Sequence, residues 1–146
     1  NSRLDELQAA VLRVKLGRLE EDNRRRIRIA RTYQESLRRI PELRLPSSSP
    51  GTVHVYHQVA VRCENPSMRD RLMAHLSADG IQTAVHYPVP VHLQPAYAGR
   101  LSGSRFLPVT EDLCPRILSL PLFPELTEEE VGRGVKAIET FFSRSV

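Results

Sequence analysis

The residues best equipped for chemistry are the histidines. His86 and His92 bracket Tyr87, Pro88, Val89, Pro90 and Val91. Imidazole donates, accepts and exchanges protons near neutral pH, and a phenol adds a further donor. A strand running into a stiff, proline-held loop that presents His, Tyr and His is where a rigid scaffold displays function. The same residues also suit a loop whose histidines only bond to backbone, and composition leaves both readings open. Metal binding is a poorer fit, because two histidines six residues apart with no carboxylate at matching spacing are not a ligand set. His54 and His57 flank Tyr56 on a strand-like stretch, so they point to opposite faces and cannot share an ion. His75 falls among polar neighbours on a helix, and the surface is its expected place.

Other reactive types carry less. Cys63 and Cys114 form no CxxC pair and have no histidine nearby in sequence, which reads as small apolar packing in a reducing cytoplasm. Glu128, Glu129 and Glu130 open a helix, where negative charge complements the dipole. No glycine-rich phosphate loop and no Ser/His/Asp order occurs. Lys15 and Lys136 lie on helical stretches with nothing beside them to lower a pKa. The polypeptide taken alone offers no nucleophile.

These residues need a scaffold. With 146 residues, 40% hydrophobic and 26% charged, the chain suits one globular domain with a real core. No apolar run approaches the roughly 18 residues that cross a bilayer. The net charge of +4 comes from nineteen arginines against two lysines. An anionic partner is one reading; with 17 acidic residues interspersed, a solvated Arg-rich surface is the better one. The chain begins at Asn1 inside what reads as a motif, so a piece of a longer protein is expected.

Apolar spacing divides the first forty residues into two helices about Gly17. Leu4, Leu7, Val11 and Val14 make one stripe, with Leu12, Leu16 and Leu19 beside it. Ile27, Ala30, Tyr33 or Gln34, Leu37 and Ile40 make the second, ended by Pro41. Alternation over Val53, Val55, Val59 and Val61 predicts a half-buried strand, with His57 out of phase. Ser67 is the expected cap of a helix carrying Met68, Leu72 and Leu76, which Gly80 ends. Residues 81–85 read as a second strand, 93–97 as one helical turn, and Thr110 as the start of a short helix reaching about Ile117. Leu118–Phe123 is a third strand, interrupted by Pro121 and therefore at an edge. Thr127 and Glu130 form a capping box for a last helix bearing Val131, Val135, Ile138 and Phe142. Helices precede strands that alternate with helices, an α+β arrangement of about three strands packed by helices.

Three ordered segments carry a resemblance to a known family. Asn1-Ser2-Arg3-Leu4-Asp5-Glu6-Leu7-Gln8-Ala9-Ala10 with Leu12-Arg13-Val14-Lys15-Leu16 is the first. His86 through Tyr97 is the second. Leu118-Ser119-Leu120-Pro121-Leu122 with Leu126-Thr127-Glu128-Glu129-Glu130-Val131 is the third. Together they resemble the C-terminal part of the DegT/DnrJ/EryC1/StrS aminotransferases, which use pyridoxal 5'-phosphate to aminate nucleotide-linked keto sugars. The resemblance implies the α/β small domain of a fold type I enzyme with a small, mainly antiparallel sheet. Residues 1–45 would be the helical link to a large domain and residues 46–146 the small domain. It implies that no catalytic residue lies in this chain, the cofactor-bonding lysine falling upstream of Asn1. Asn1 matches a cofactor-phosphate contact made across a homodimer, and Arg3 beside it suits either a further charged cofactor contact or an ion pair at the helix start. His86, Tyr87 and His92 match the loop facing the nucleotide sugar, and Tyr56 lines the same cleft or packs in the core. Glutamate as amino donor, a site shared between subunits, a cytoplasmic setting and a place in polysaccharide or antibiotic-sugar biosynthesis follow from the same likeness.

Three other readings stand beside it. A relative that dehydrates the sugar, with histidine in place of the lysine, belongs to the same family. An Arg-rich nucleic-acid module rests on residues 24–39 through charge alone, without aromatic interleaving. A dimerisation module without catalysis is the third.

Overall fold

A computed structural model describes residues 3–97, 100 and 106–143. Helices α1 (Glu6–Leu16) and α2 (Leu19–Leu37) come first. Strands β1 (Leu43–Arg44) and β2 (Val59–Cys63) follow, then α3 (Pro66–Ala78). Two 3-10 turns, Val91–Leu93 and Pro95–Tyr97, lead towards α4 (Pro108–Leu113). A third 3-10 turn, Cys114–Arg116, feeds β3 (Ile117–Leu120), and α5 (Glu128–Ser143) closes the fold.

The sheet is antiparallel in the order β1-β2-β3. Val59 pairs with Leu120 and Val61 with Leu118, while Leu43 pairs with Cys63. Period-two geometry sends Val59, Val61 and Cys63 into the core while Ala60 faces out. Helix α3 covers β2 and β3, and α5 packs against both α2 and α3. Ala30, Tyr33 and Leu37 of α2 join the same core as Leu72 and Leu76 of α3 and Ile138 of α5. The α+β class expected from the pattern is the one observed, and β3 stops before Pro121 at a sheet edge as the missing N–H requires.

Several boundaries differ from the sequence reading. Strand β2 begins at Val59 rather than Val53, because Tyr56 takes a left-handed φ of +49° and breaks the extended run. Val53 is consequently 81% exposed. Asn65, not Ser67, caps α3: its side chain accepts the Met68 amide at 2.9 Å, and Pro66 occupies the first turn, where no N–H is needed. Residues 81–85 form no strand. They contribute one bridge, Ala84 to Ser119. Helix α4 starts at Pro108, two residues before Thr110, and β1 was not foreseen. His75 is not a free surface residue: its Nε2 lies 3.1 Å from the Ala137 carbonyl, tying α3 to α5.

The helix ends show the local chemistry that sets them. Thr127 and Glu130 form the reciprocal box, with the Thr127 amide donating to Glu130 at 2.8 Å and the Glu130 amide donating to Thr127 Oγ1 at 3.2 Å. The Thr127 amide, then the Thr127 hydroxyl, hold the Glu130 carboxyl below its ordinary pKa. Gly80, at φ +75°, lets the Ile81 amide reach back to the Leu76 carbonyl at 2.8 Å and its own amide to Ser77 at 3.0 Å. Gly80→Ala leaves space for the methyl but forces it into a left-handed backbone. It should cost about 1–2 kcal/mol, read as faster amide exchange across the C-terminal turn of α3.

Helix α1 is different in kind. It buries no residue, and Leu7 and Val14 are 77% and 74% exposed. The apolar stripe therefore finds no partner among the described residues.

Candidate functional site

The segment after α3 runs antiparallel to β3 for one bridge. The Ala84 amide donates to the Ser119 carbonyl at 3.2 Å, and the Ser119 amide donates to Ala84 at 2.7 Å. Two residues on, His86 is thereby held over the end of the sheet. Its Nδ1 lies 3.0 Å from the Ser119 hydroxyl. The entry to β2 supplies the other wall. His57, Gln58, Gln82, Thr83, His86 and Ser119 are polar residues around an open cavity of about 350 Å³, whose apolar lining includes Leu120 and Pro121. Imidazoles, amides and a hydroxyl over an apolar floor suit a polar ligand rich in oxygen. Larger grooves exist, such as that of about 590 Å³ between α2 and the start of α5. There Arg25 and Arg28 face Glu125 and Glu128, and Arg25 is already bonded to Glu21 at 3.2 Å.

The residues singled out in the sequence do not all converge. His86 lines the cavity. Tyr87 follows it through a cis peptide, stands edge-on to the His86 ring at 5.6 Å and is 68% exposed, beside the cavity rather than in its wall. His92 turns inwards: its side chain is 8% exposed and its Nε2 lies 2.9 Å from Glu111. The same carboxylate oxygen accepts the Leu107 amide at 2.8 Å, so one group pins the 3-10 turn to α4. Arg3 is exposed ahead of α1 and takes no part in the cavity wall. Asn1 lies outside the described residues. Tyr56 is buried and lines a separate groove with His54, where its hydroxyl meets Gln34 at 3.2 Å. It does not share the His86 cavity, because its left-handed backbone turns it away from His57.

Glu111 gives a pH-dependent prediction. The Leu107 amide, then the His92 ring, hold its carboxyl below the ordinary value of 4.5. A depressed carboxylate stabilises the fold above its unfolded pKa, and that contribution is lost as pH falls through the folded value. The turn at 91–93 should therefore lose exchange protection below about pH 4.5, and Glu111→Gln should lose it already at neutral pH.

Other groups are set aside by their surroundings. Burial pushes the Cys63 thiol up to about 11, leaving it inert at neutral pH. Among the described residues no three His, Cys, Asp or Glu side chains gather as a metal site. Lys15 and Lys136 are exposed on α1 and α5, away from the cavity. The residues that line this cavity therefore include no lysine. Sequence reasoning missed Gln58, Gln82, Thr83 and Ser119. Only Ser119 left a signal, as the polar residue within the apolar run Leu118–Leu120.

The architecture is that of an α/β small domain, with a polar-lined cavity at one end of its sheet. The chain belongs to the DegT/DnrJ/EryC1/StrS aminotransferase family, whose sequence profile matches residues 1–139. It is 50% identical over 141 residues to the erythromycin biosynthesis sensory transduction protein EryC1 of Saccharopolyspora erythraea, covering 95% of this chain and 37% of that one. It is 44% identical to the dTDP-3-amino-3,4,6-trideoxy-alpha-D-glucose transaminase of Streptomyces venezuelae, covering 99% of this chain and 37% of the relative. Among solved structures, S. venezuelae DesV in complex with a ketimine intermediate superposes with a TM-score of 0.90 at 44% identity. That match covers 99% of this chain and 38% of the DesV chain. The chain thus spans little more than a third of the length of these relatives.

Proposed function

We propose that the protein to which this chain belongs is a pyridoxal phosphate-dependent aminotransferase that moves an amino group, from glutamate, onto a nucleotide-linked keto sugar. The observation that carries this reading is the 44% identity to a named dTDP-sugar transaminase along 99% of the chain. The cavity chemistry supports it: amides and imidazole match the hydroxyl, keto and phosphate oxygens of such a substrate.

The cofactor, when bound, supplies the electron sink for the transfer. The lysine that bonds it belongs to residues outside this chain, and residues 1–146 alone are inactive in this account. What this chain does is orient and hold. His86 and Tyr87 offer donors to sugar-nucleotide oxygens. His92 has its Nε2 engaged by Glu111, so it steadies the loop and has only Nδ1 left for substrate. Holding a carbonyl at the reacting distance replaces an encounter by a fixed geometry. Asn1 and Arg3 reach the cofactor phosphate of a partner subunit, which makes the active unit a homodimer in the cytoplasm. Residues 1–45 serve as the link, with the bare apolar face of α1 set against the large domain.

The test is direct. Full-length protein given glutamate and a dTDP-linked keto sugar should form the amino sugar and 2-oxoglutarate in equal amounts. Loss of water from the sugar without amine formation would replace this reading with the dehydratase one. No reaction with any nucleotide-linked keto sugar would contradict both.

A further inference from the structure

Among the described residues Ser119 is a buried polar one, 7% exposed. Its amide and its carbonyl are both taken by Ala84 of the bridge, while Ala60 of β2 stands opposite it in register. Its hydroxyl has one partner among the described residues, His86 Nδ1 at 3.0 Å. A hydroxyl carries one hydrogen and two lone pairs, and a buried hydrogen left without an acceptor is costly. An imidazole Nδ1 that donates to this oxygen would leave that hydrogen without an acceptor among the described residues. An Nδ1 that accepts from it satisfies both groups, and the neutral ring then carries its proton on Nε2. The Nδ1 side is anchored on the buried strand while the residue as a whole is exposed, so Nε2 is the nitrogen left to the open side.

We infer that Ser119 is a positioning residue that holds His86 in the Nε2–H tautomer, presenting a fixed hydrogen-bond donor to an oxygen of the sugar nucleotide. The inference rests on the reading of this cavity as the substrate site, and it names how that site recognises its ligand. A donor locked at this nitrogen selects an acceptor: a keto, hydroxyl or phosphate oxygen. It does not suit a protonated amine. Ser119 acts twice, since its main chain fixes where residue 84 runs and its side chain fixes which nitrogen of residue 86 faces out.

The experiment uses full-length protein with 15N-labelled histidine, observed through two-bond proton–nitrogen couplings. Wild type should show the Nε2–H pattern for His86, and an Nδ1–H pattern would overturn the inference without any variant. Ser119→Ala should release the tautomer and raise KM for a dTDP-linked keto sugar roughly three- to tenfold, the worth of one hydrogen bond, with kcat little changed. Ser119→Thr should restore both, whereas Ser119→Val, of the same shape without the hydroxyl, should not. Restoration by Val as well as Thr would show a packing role and contradict the inference. His86→Ala separates the two claims. An unchanged KM there defeats the cavity reading itself. A raised KM there, with Ser119→Ala still like wild type, defeats only the role of Ser119.

Discussion

Full-length protein carrying Lys15→Arg and Lys136→Arg together should transfer amino groups at close to the unaltered rate, while residues 1–146 in isolation should transfer none. The physical reason is placement. Both lysines are solvated on helix surfaces, Lys15 on α1 and Lys136 on α5, and neither borders the cavity that holds His86. A lysine that attacks a carbonyl needs a neutral amine, which takes burial or a cationic neighbour to lower its pKa. Arginine keeps the charge, so surface electrostatics are retained in the variant. Amino-transfer assays on both proteins, with circular dichroism to establish that the isolated chain is helical, give the comparison. A loss beyond about tenfold in the double variant, some 1.4 kcal/mol of transition-state stabilisation, would place one of these lysines in the chemistry.

Leu118→Ala should be the most damaging of the conservative core truncations on the sheet. Leu118 is fully buried on β3 and sits in register with Val61 of β2, under α3. Removing its isobutyl group loses the transfer free energy and leaves a cavity that a close-packed strand pair cannot collapse, a cost of about 2–5 kcal/mol. Amide exchange over residues 59–63 and 117–120 should quicken by the corresponding factor, since those strands open with the core. Val53→Ala is the counterpart. At 81% exposure it should move exchange by no more than about 0.5 kcal/mol. A larger effect at Val53 would mean that the sheet extends through residues 53–58 after all.

What the sequence disclosed was chemistry that acts over a few residues. The Thr127–Glu130 box and the Gly80 terminus depend on neighbours along the chain, and each appears where it was read, whereas β3, read through Phe123, already ends at Leu120 before Pro121. The stripes of α2 and α5 were legible because helix periodicity repeats often enough to stand out: Ala30, Tyr33 and Leu37 are buried, as are Val131, Val135, Ile138 and Phe142. Alternating valines misled, because period-two spacing continues through the left-handed turn at Tyr56 without marking it. Strand β1 is two residues long and exists only through its pairing with Cys63 and Arg62. The Asn65 cap was readable, since a proline at the first helical position puts the cap one residue earlier.

The site was legible by location and not by role. Histidine-rich loop chemistry pointed to residues 86–92, yet the same chain turn sends His86 to the cavity and His92 to Glu111, 19 residues away. Nothing local distinguishes the two imidazoles. Ser119 meets His86 across 33 residues, His75 meets Ala137 across 62, and Gln58 and Gln82 are brought together only by the β2 entry and the Ala84 bridge. Contacts of that span are a product of topology, which a one-dimensional pattern does not contain.

The central claim is that this chain supplies the substrate-holding part of a cofactor-dependent aminotransferase and that the covalent anchor lies elsewhere in the protein. Borohydride reduction of full-length protein, followed by digestion and mass mapping, tests it most directly. The account predicts a single phosphopyridoxyl adduct on a lysine outside residues 1–146. An adduct on Lys15 or Lys136, or none on any lysine, would contradict it.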